Sequence, residues 1–325
     1  MSIPLSILDL AHVAPGQSTR EALQESIALA RKADQLGGFE RLWYAEHHNM
    51  RTIASAATSV LVGQVLAATQ TIRVGAGGVM LPNHSPLVIA EQFGTLAELY
   101  PDRVDLGLGR APGTDQQTWQ ALRRDPRASD RFPQDVQELQ GYLGERTAVP
   151  GIHAYPGWGT RVPLYVLGSS MFGAQLAATL GLPYAFASHF APDQLRPAMQ
   201  AYRDRFRPSE QLTAPRAIAA LNVIVTDDLE SAQEAHGQVV RQRVRAMAGR
   251  RGADLTEAEV DLALSSPFGA QVQHMMQHTA VGTRTEVAAY LEQFQELSGA
   301  DELMVTNVVP GLEQRERALE ILATL

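Results

Sequence analysis

Short apolar runs alternate along this chain with stretches whose apolar residues recur every three or four positions. The runs at 3–8, 41–45, 72–77, 103–108, 163–168, 184–187, 218–225 and 302–306 predict eight strands. They are apolar on both parities, the pattern of strands covered on both faces. The stretches between them carry a helical period. One opens with Ser18-x-x-Glu21, a capping box, and sets Leu23, Ile27, Ala30 and Ala33 on one face. A second follows Pro86 and turns Ile89, Phe93, Leu96, Ala97 and Tyr100 inward. A third opens with Thr283-x-x-Glu286 and turns Val287, Tyr290, Leu291 and Phe294 inward. Gly37-Gly38, Gly181 and Gly299 stand where these and similar helices should end.

Strict alternation of strand and helix implies a parallel sheet, in the α/β class. Eight such units in 325 residues fit a closed (β/α)8 barrel better than an open sheet. No linker or repeat divides the chain, so one domain spans 1–325. Two connections are unusually long, 109–162 after the fourth strand and 226–301 after the seventh. Excursions of that length build pocket walls, lids or subunit contacts.

Composition narrows the chemistry. With 27 Lys and Arg against 35 Asp and Glu the net charge is −8, which argues against a nucleic-acid or anionic membrane partner. No cysteine is present, so disulfides, thiolate metal sites, Fe–S clusters and a cysteine nucleophile are excluded. No apolar run reaches membrane-spanning length, and Ser55, Thr58, Ser59 and Gln64 interrupt the Ala-rich stretch 54–69, so no membrane span is expected. Met1-Ser2-Ile3-Pro4 lacks the features of a secretory signal, and a cytoplasmic location is the expectation.

The candidate chemistry sits at strand ends. Trp43-Tyr-Ala-Glu46-His47-His48-Asn49 runs from an apolar strand into two histidines and a carboxylate, at the barrel edge where catalytic groups collect. A histidine there suits proton exchange near neutral pH. His84 and His189, after the third and sixth strands, offer partners for a metal. The first strand, however, has no His-x-His pair and Asp9 as its only carboxylate, so a metal-free site is expected. Gly75-Ala-Gly77-Gly78 ends the third strand, either for tight packing or for close approach of a flat ligand. Gly107-x-Gly109-Arg110 lacks the third glycine of a dinucleotide fingerprint and presents one arginine able to clamp a phosphate. Gly168-Ser169-Ser170 opens a helix and offers free N–H groups and two hydroxyls to an anion, unless the serines merely cap. His274 and His278, one helical turn apart beside Met275 and Met276, read as structural or as part of a lid.

Taken together, the blocks Trp43–Met50, Arg73–Pro86, Asp105–Gly113 and Leu167–Pro183, with Ala300–Thr306, resemble the bacterial-luciferase-like family of flavin-dependent monooxygenases. The resemblance implies a (β/α)8 barrel, reduced FMN as cosubstrate, molecular oxygen, a separate flavin reductase, a small organic substrate and a homodimer. It implies that His47 is the catalytic histidine beside the flavin and that Arg110, Gly168, Ser169 and Ser170 hold the FMN phosphate. It places Gly77 and Gly78 where relatives carry a cis peptide against the flavin face. Gly109 stands where the luciferase α-subunit has a reactive cysteine, which leaves room above the ring and does not imply light emission. Arg51-Thr52 replaces a Pro-Gly common in close relatives. Some members of the wider family use a deazaflavin and transfer hydride without oxygen, and a non-catalytic flavin-binding protein is a third reading.

Overall fold

The structure is a computed structural model and describes residues 3–111, 115–125, 127–147, 149–248, 255–309 and 311–325. In chain order its elements are β1 (Leu5–Asp9), α1 (Thr19–Leu36), β2 (Phe39–Tyr44), α2 (Thr58–Ala68), β3 (Arg73–Met80), α3 (Pro86–Leu99), β4 (Val104–Gly109), α4 (Gln116–Ala121) and α5 (Phe132–Leu143). There follow β5 (Leu164–Gly168), α6 (Met171–Leu180), β6 (Tyr184–Phe186), α7 (Leu195–Arg205), β7 (Ala217–Val225), α8 (Leu229–Ala248), α9 (Glu257–Leu264) and α10 (Pro267–Met275). The chain ends with β8 (Thr279–Gly282), α11 (Arg284–Ser298), β9 (Glu302–Asn307) and α12 (Leu312–Leu322).

All strand pairings within the sheet are parallel. Strands β1 to β7 pair in sequence order, and β9 closes the ring between β7 and β1. These eight are the predicted strands, and they make the expected (β/α)8 barrel. Strand β8 is additional. One edge of β7 pairs with β6 through Ala217–Ala219, then with β8 through Asn222–Val225, where β6 has ended. Thr279-Ala-Val-Gly282 is too short to show a period of its own, which is why the sequence pattern does not reveal it. The two long connections hold α4 and α5, and α8 to α11 with β8.

The helices follow their patterning. Glu21 N–H donates to Ser18 Oγ at 3.3 Å, and the Glu21 carboxylate accepts the Ser18 N–H at 2.8 Å, closing the predicted box. The buried face of α1 centres on Ala22, Ser26, Leu29, Ala30 and Ala33, leaving Leu23 and Ile27 at its half-buried margin. Gly181 and Gly299 end α6 and α11 in the left-handed conformation that glycine adopts without a Cβ penalty.

Alternation along each strand divides its residues between two cores. Outward positions such as Leu42, Leu106, Val166 and Leu303 pack under the helices. Inward positions Leu8, Trp43, Tyr165, Ala185, Ile218, Ala220 and Met304 fill the barrel. Trp43 lies edge-on to Tyr165, with ring centroids 4.8 Å apart. Below this apolar layer, at the N-terminal ends of the strands, the interior is charged. Buried Arg41 donates to Asp105 Oδ2 and to the Tyr165 hydroxyl at 2.7 Å, and to Glu302 Oε1 at 2.8 Å. Ser6 and Arg216 also donate to Glu302, and Arg73 and Trp43 to Asp105.

Removing one member of a buried charge network strands the others. Glu302→Gln should therefore cost about 3–5 kcal/mol in urea denaturation. Arg216→Met removes a partner whose side chain is 40% exposed and should cost less than about 1 kcal/mol. Equal losses in the two variants would show that the network does not carry the barrel floor.

Candidate functional site

The inward parity of β2 runs through Arg41, Trp43 and Ala45, and the same alternation carries His47 to the C-terminal mouth of the barrel. Glu46 falls on the outward parity, toward β3. Glu46 is buried and accepts the Met80 N–H at 3.1 Å on Oε2. Its Oε1 meets His48 Nε2 at 2.7 Å and His84 Nε2 at 2.8 Å. Burial alone would raise the Glu46 pKa. The hydrogen bonds from both histidines, the attraction of His84 and the Met80 N–H outweigh it and hold the carboxyl below its ordinary value. His47 is anchored through its N–H to the Ser55 carbonyl at 3.2 Å. Its Nδ1 is buried with no hydrogen-bond partner. Burial depresses its pKa, against the pull of Glu46, so the ring is neutral at pH 7 and its Nδ1 is uncommitted.

Ligand atoms of Glu46, His48 and His84 lie within 4.8 Å of one another, a set chemically able to hold a divalent cation. The hydrogen bonds among them already account for their arrangement. His189 does not join them, although the sequence grouped it with His84. It sits at the end of β6, buried, with its Nδ1 unpartnered, and its backbone carbonyl accepts from Asn222 at 2.8 Å. Burial, with the charges of Arg243 and His47, depresses its pKa to about 3. His274 and His278 do not converge. His274 pairs with Asp193 at 2.5 Å on the surface, and the His278 ring packs 5.0 Å from Phe294.

The two predicted anion signals do meet. Arg110 leaves the end of β4 and lays its guanidinium over the Phe172 ring, 4.0 Å from the centroid, in the first turn of α6. Ser169 and Ser170 lead into that turn. Ser170 occupies the N-cap position, yet its side chain makes no capping hydrogen bond, so its hydroxyl is not used in holding the helix. Gln194 accepts the Met171 N–H at 3.2 Å. Pro112 and Gly113, which close the arginine turn, lie outside the described residues.

The Gly77–Gly78 peptide is cis, as expected. Both glycines are also demanded by packing. A Cβ on Gly77 would stand 2.8 Å from Trp43 Cβ, and one on Gly78 would stand 2.6 Å from the Gly107 carbonyl oxygen. Gly109 does not leave the room that the sequence suggested, because Met80 Sδ stands 2.8 Å from where its Cβ would be. Residues that motif reading missed are Asn222, which positions His189, and Arg243 in the second excursion.

A family model of luciferase-like monooxygenases matches residues 3–301. The chain belongs to that family. It is 45% identical over 324 residues to a luciferase-like monooxygenase of Escherichia coli strain K12, covering 98% of this chain and 96% of the relative. Among solved structures, apo-MsnO8 is 34% identical with a TM-score of 0.88, covering 99% of this chain and 98% of its own. Two structures under 20% identical share the fold. The FMN-bound oxygenating constituent of 3,6-diketocamphane monooxygenase from Pseudomonas putida has 16% identity, a TM-score of 0.74 and coverage of 99% and 97%. An F420-dependent secondary alcohol dehydrogenase has 17% identity, a TM-score of 0.67 and coverage of 100% and 98%.

A histidine held neutral by burial stabilises the fold fully only above the unfolded-state pKa near 6.5. Below that the unfolded chain binds the proton and the folded one does not, down to about pH 3. The loss is about 1.4 kcal/mol per pH unit. Between pH 7 and pH 5 the fall in urea stability should therefore be about 2 kcal/mol smaller in His189→Asn than in the unaltered protein. Identical pH slopes would mean that His189 is protonated in the folded state.

Proposed function

We propose that this protein is a flavin-dependent monooxygenase that receives reduced FMN from a separate reductase and uses molecular oxygen to oxidise a small organic substrate. The observation that carries the reading is the meeting of Arg110 with the Ser169-Ser170 turn on the same rim as Gly77–Gly78 and His47. The donor set fits a flavin mononucleotide. Arg110, the serine hydroxyls and the N-terminal N–H groups of α6 match a phosphate dianion, and Gly77–Gly78 places no side chain of its own beside a flat ring. Reduced flavin supplies the electrons that activate oxygen.

The protein's own residues supply position and proton control. Gly168 ends β5 where the chain turns through Ser169 and Ser170 into α6. Arg110, Ser169 and Ser170 fix the phosphate. His47, neutral with an uncommitted Nδ1, holds or accepts a proton at the reacting face. Glu46, tied to Met80, His48 and His84, keeps the segment that carries His47 in place. The F420-dependent neighbour supports a second reading, hydride transfer through a deazaflavin without oxygen insertion.

Titration of the protein with FMN, followed by flavin fluorescence, should give saturable binding, and Arg110→Met should weaken it about 10- to 100-fold. Binding of a deazaflavin but not of FMN would transfer the assignment to the second reading. His47→Ala should keep the Kd for FMN within about threefold and lower oxygen-dependent turnover, scored as mass gain of one oxygen, by about 100-fold or more. Unchanged turnover in that variant would remove His47 from the chemistry, and flavin binding without turnover of any substrate would leave a non-catalytic flavin carrier.

A further inference from the structure

Arg241, Arg243 and Arg245 follow one another at every second position of α8, so the helical period turns the middle one away from the other two. Arg241 pairs with Glu257 and with Asp261 at 2.6 Å, and Arg245 pairs with Glu257. Among the described residues Arg243 makes no hydrogen bond or ion pair, although it is half-buried and its charge is opposed by desolvation. Such a guanidinium costs the fold solvation and returns nothing to it.

Its place explains what it faces. Val239, Val240 and Val244 seat α8 in an apolar cluster with Ile224, at the C-terminal end of β7, and with Val272, Met276 and Val309. Arg243 lies one turn from Val239 and Val240, on the side of α8 that packs at β7, and on that strand Asn222 holds the His189 carbonyl at 2.8 Å; its charge helps to lower the pKa values of His189 and His47. The buried Nδ1 atoms of His47 and His189 are both without partners. Three groups, from the ends of β2 and β6 and from the second excursion, thus keep unspent polarity at the mouth. Arg110 and the serine turn belong to β4 and β5, on another arc of the ring.

We propose that Arg243, together with His189 and His47, recognises a carboxylate on the organic substrate, so that this enzyme acts on small organic acids. The inference rests on the monooxygenase reading and adds the substrate class. A single guanidinium with neutral imidazoles matches a monoanion in charge and offers the two-pronged geometry a carboxylate takes. A phosphate dianion calls for further donors, which the Arg110 rim provides and this one does not.

The test uses formate, small enough to enter any site open to solvent, and formamide as its neutral counterpart. Histidine ring resonances are followed by NMR at constant ionic strength, with and without FMN. The His47 and His189 signals, identified by their loss in His47→Ala and His189→Asn, should shift saturably with formate and at least tenfold more weakly with formamide. Arg243→Met should abolish the difference and Arg243→Lys should keep it. Because Arg243 pairs with none of the described residues, both variants, and Arg243→Gln, should melt within a few degrees of the unaltered protein. Equal responses to formate and formamide, or an unchanged response in Arg243→Met and Arg243→Gln, would overturn the proposal. So would loss of FMN affinity by more than tenfold in those variants, which would place Arg243 in the cofactor site. Failure of the unaltered protein to bind FMN would instead sink the flavin reading, while the formate titration of the flavin-free protein still reports on Arg243.

Discussion

The barrel depends on one arginine shared by two carboxylates across its interior. Arg41 on β2 binds Asp105 on β4 and Glu302 on β9, three strands that do not neighbour one another in the ring. Burial works against its charge, and the two acids hold it protonated. Such a network adds little net stability over a well-packed apolar core, but it tolerates no substitute geometry. A slip of β2 by one residue would send Arg41 outward into the helix layer and bring Leu42 between two buried carboxylates. The floor therefore fixes register, and register decides what reaches the mouth: Arg41, Trp43, Ala45, His47 on the inside, and Leu42, Tyr44, Glu46 on the outside.

That parity explains how one short segment performs two tasks. Glu46 goes outward into a set of three donors, Met80, His48 and His84, that holds it in place. His47 goes inward and keeps Nδ1 unspent at a cost in stability. The satisfied residue braces the unsatisfied one. Trp43 just below it sets the size of the neighbouring strand, because its side chain occupies the space that any Cβ at Gly77 would need. Packing by itself accounts for glycine at that position, and a ligand could add a second reason without changing the first.

Much of this was legible in one dimension. Eight strands, three helices, two of them opened by capping boxes, and the barrel followed from period and punctuation, since each is a local pattern repeated over many residues. That Arg110 and the Ser169-Ser170 turn share one stretch of rim follows from strand order, because β4 and β5 are neighbours in the barrel. What escaped were facts of convergence. Strand β8 has four residues and exists because β6 ends early beside β7. His84 and His189 look alike as histidines after strands, yet the first meets Glu46 and the second meets Asn222, on opposite sides of the rim's alternation. The room expected at Gly109 is taken by Met80, its pairing partner on β3. Arg243 did leave a trace, three arginines at spacing two on one helix. Deciding which of them lacked an acid needed the positions of Glu257 and Asp261.

The distribution of charge follows from the same economy. The chain carries a net charge of −8, so a distant anion meets a repelling surface, and attraction must come from groups close to the mouth. Histidine cannot supply it there, because the burial that makes His47 and His189 useful as neutral donors and acceptors also strips their protons at neutral pH. Arginine keeps its proton under the same desolvation. Arg110 and Arg243 both bring positive charge to this rim, one stacked on an aromatic ring and the other, among the described residues, unpaired on a helix of the long excursion. Arg110 belongs to β4, a barrel strand. The excursion after β7 lies outside the strands, where sequence can change without disturbing the Arg41 floor. A barrel built this way can keep Arg110 fixed on its strands and alter its second cation freely.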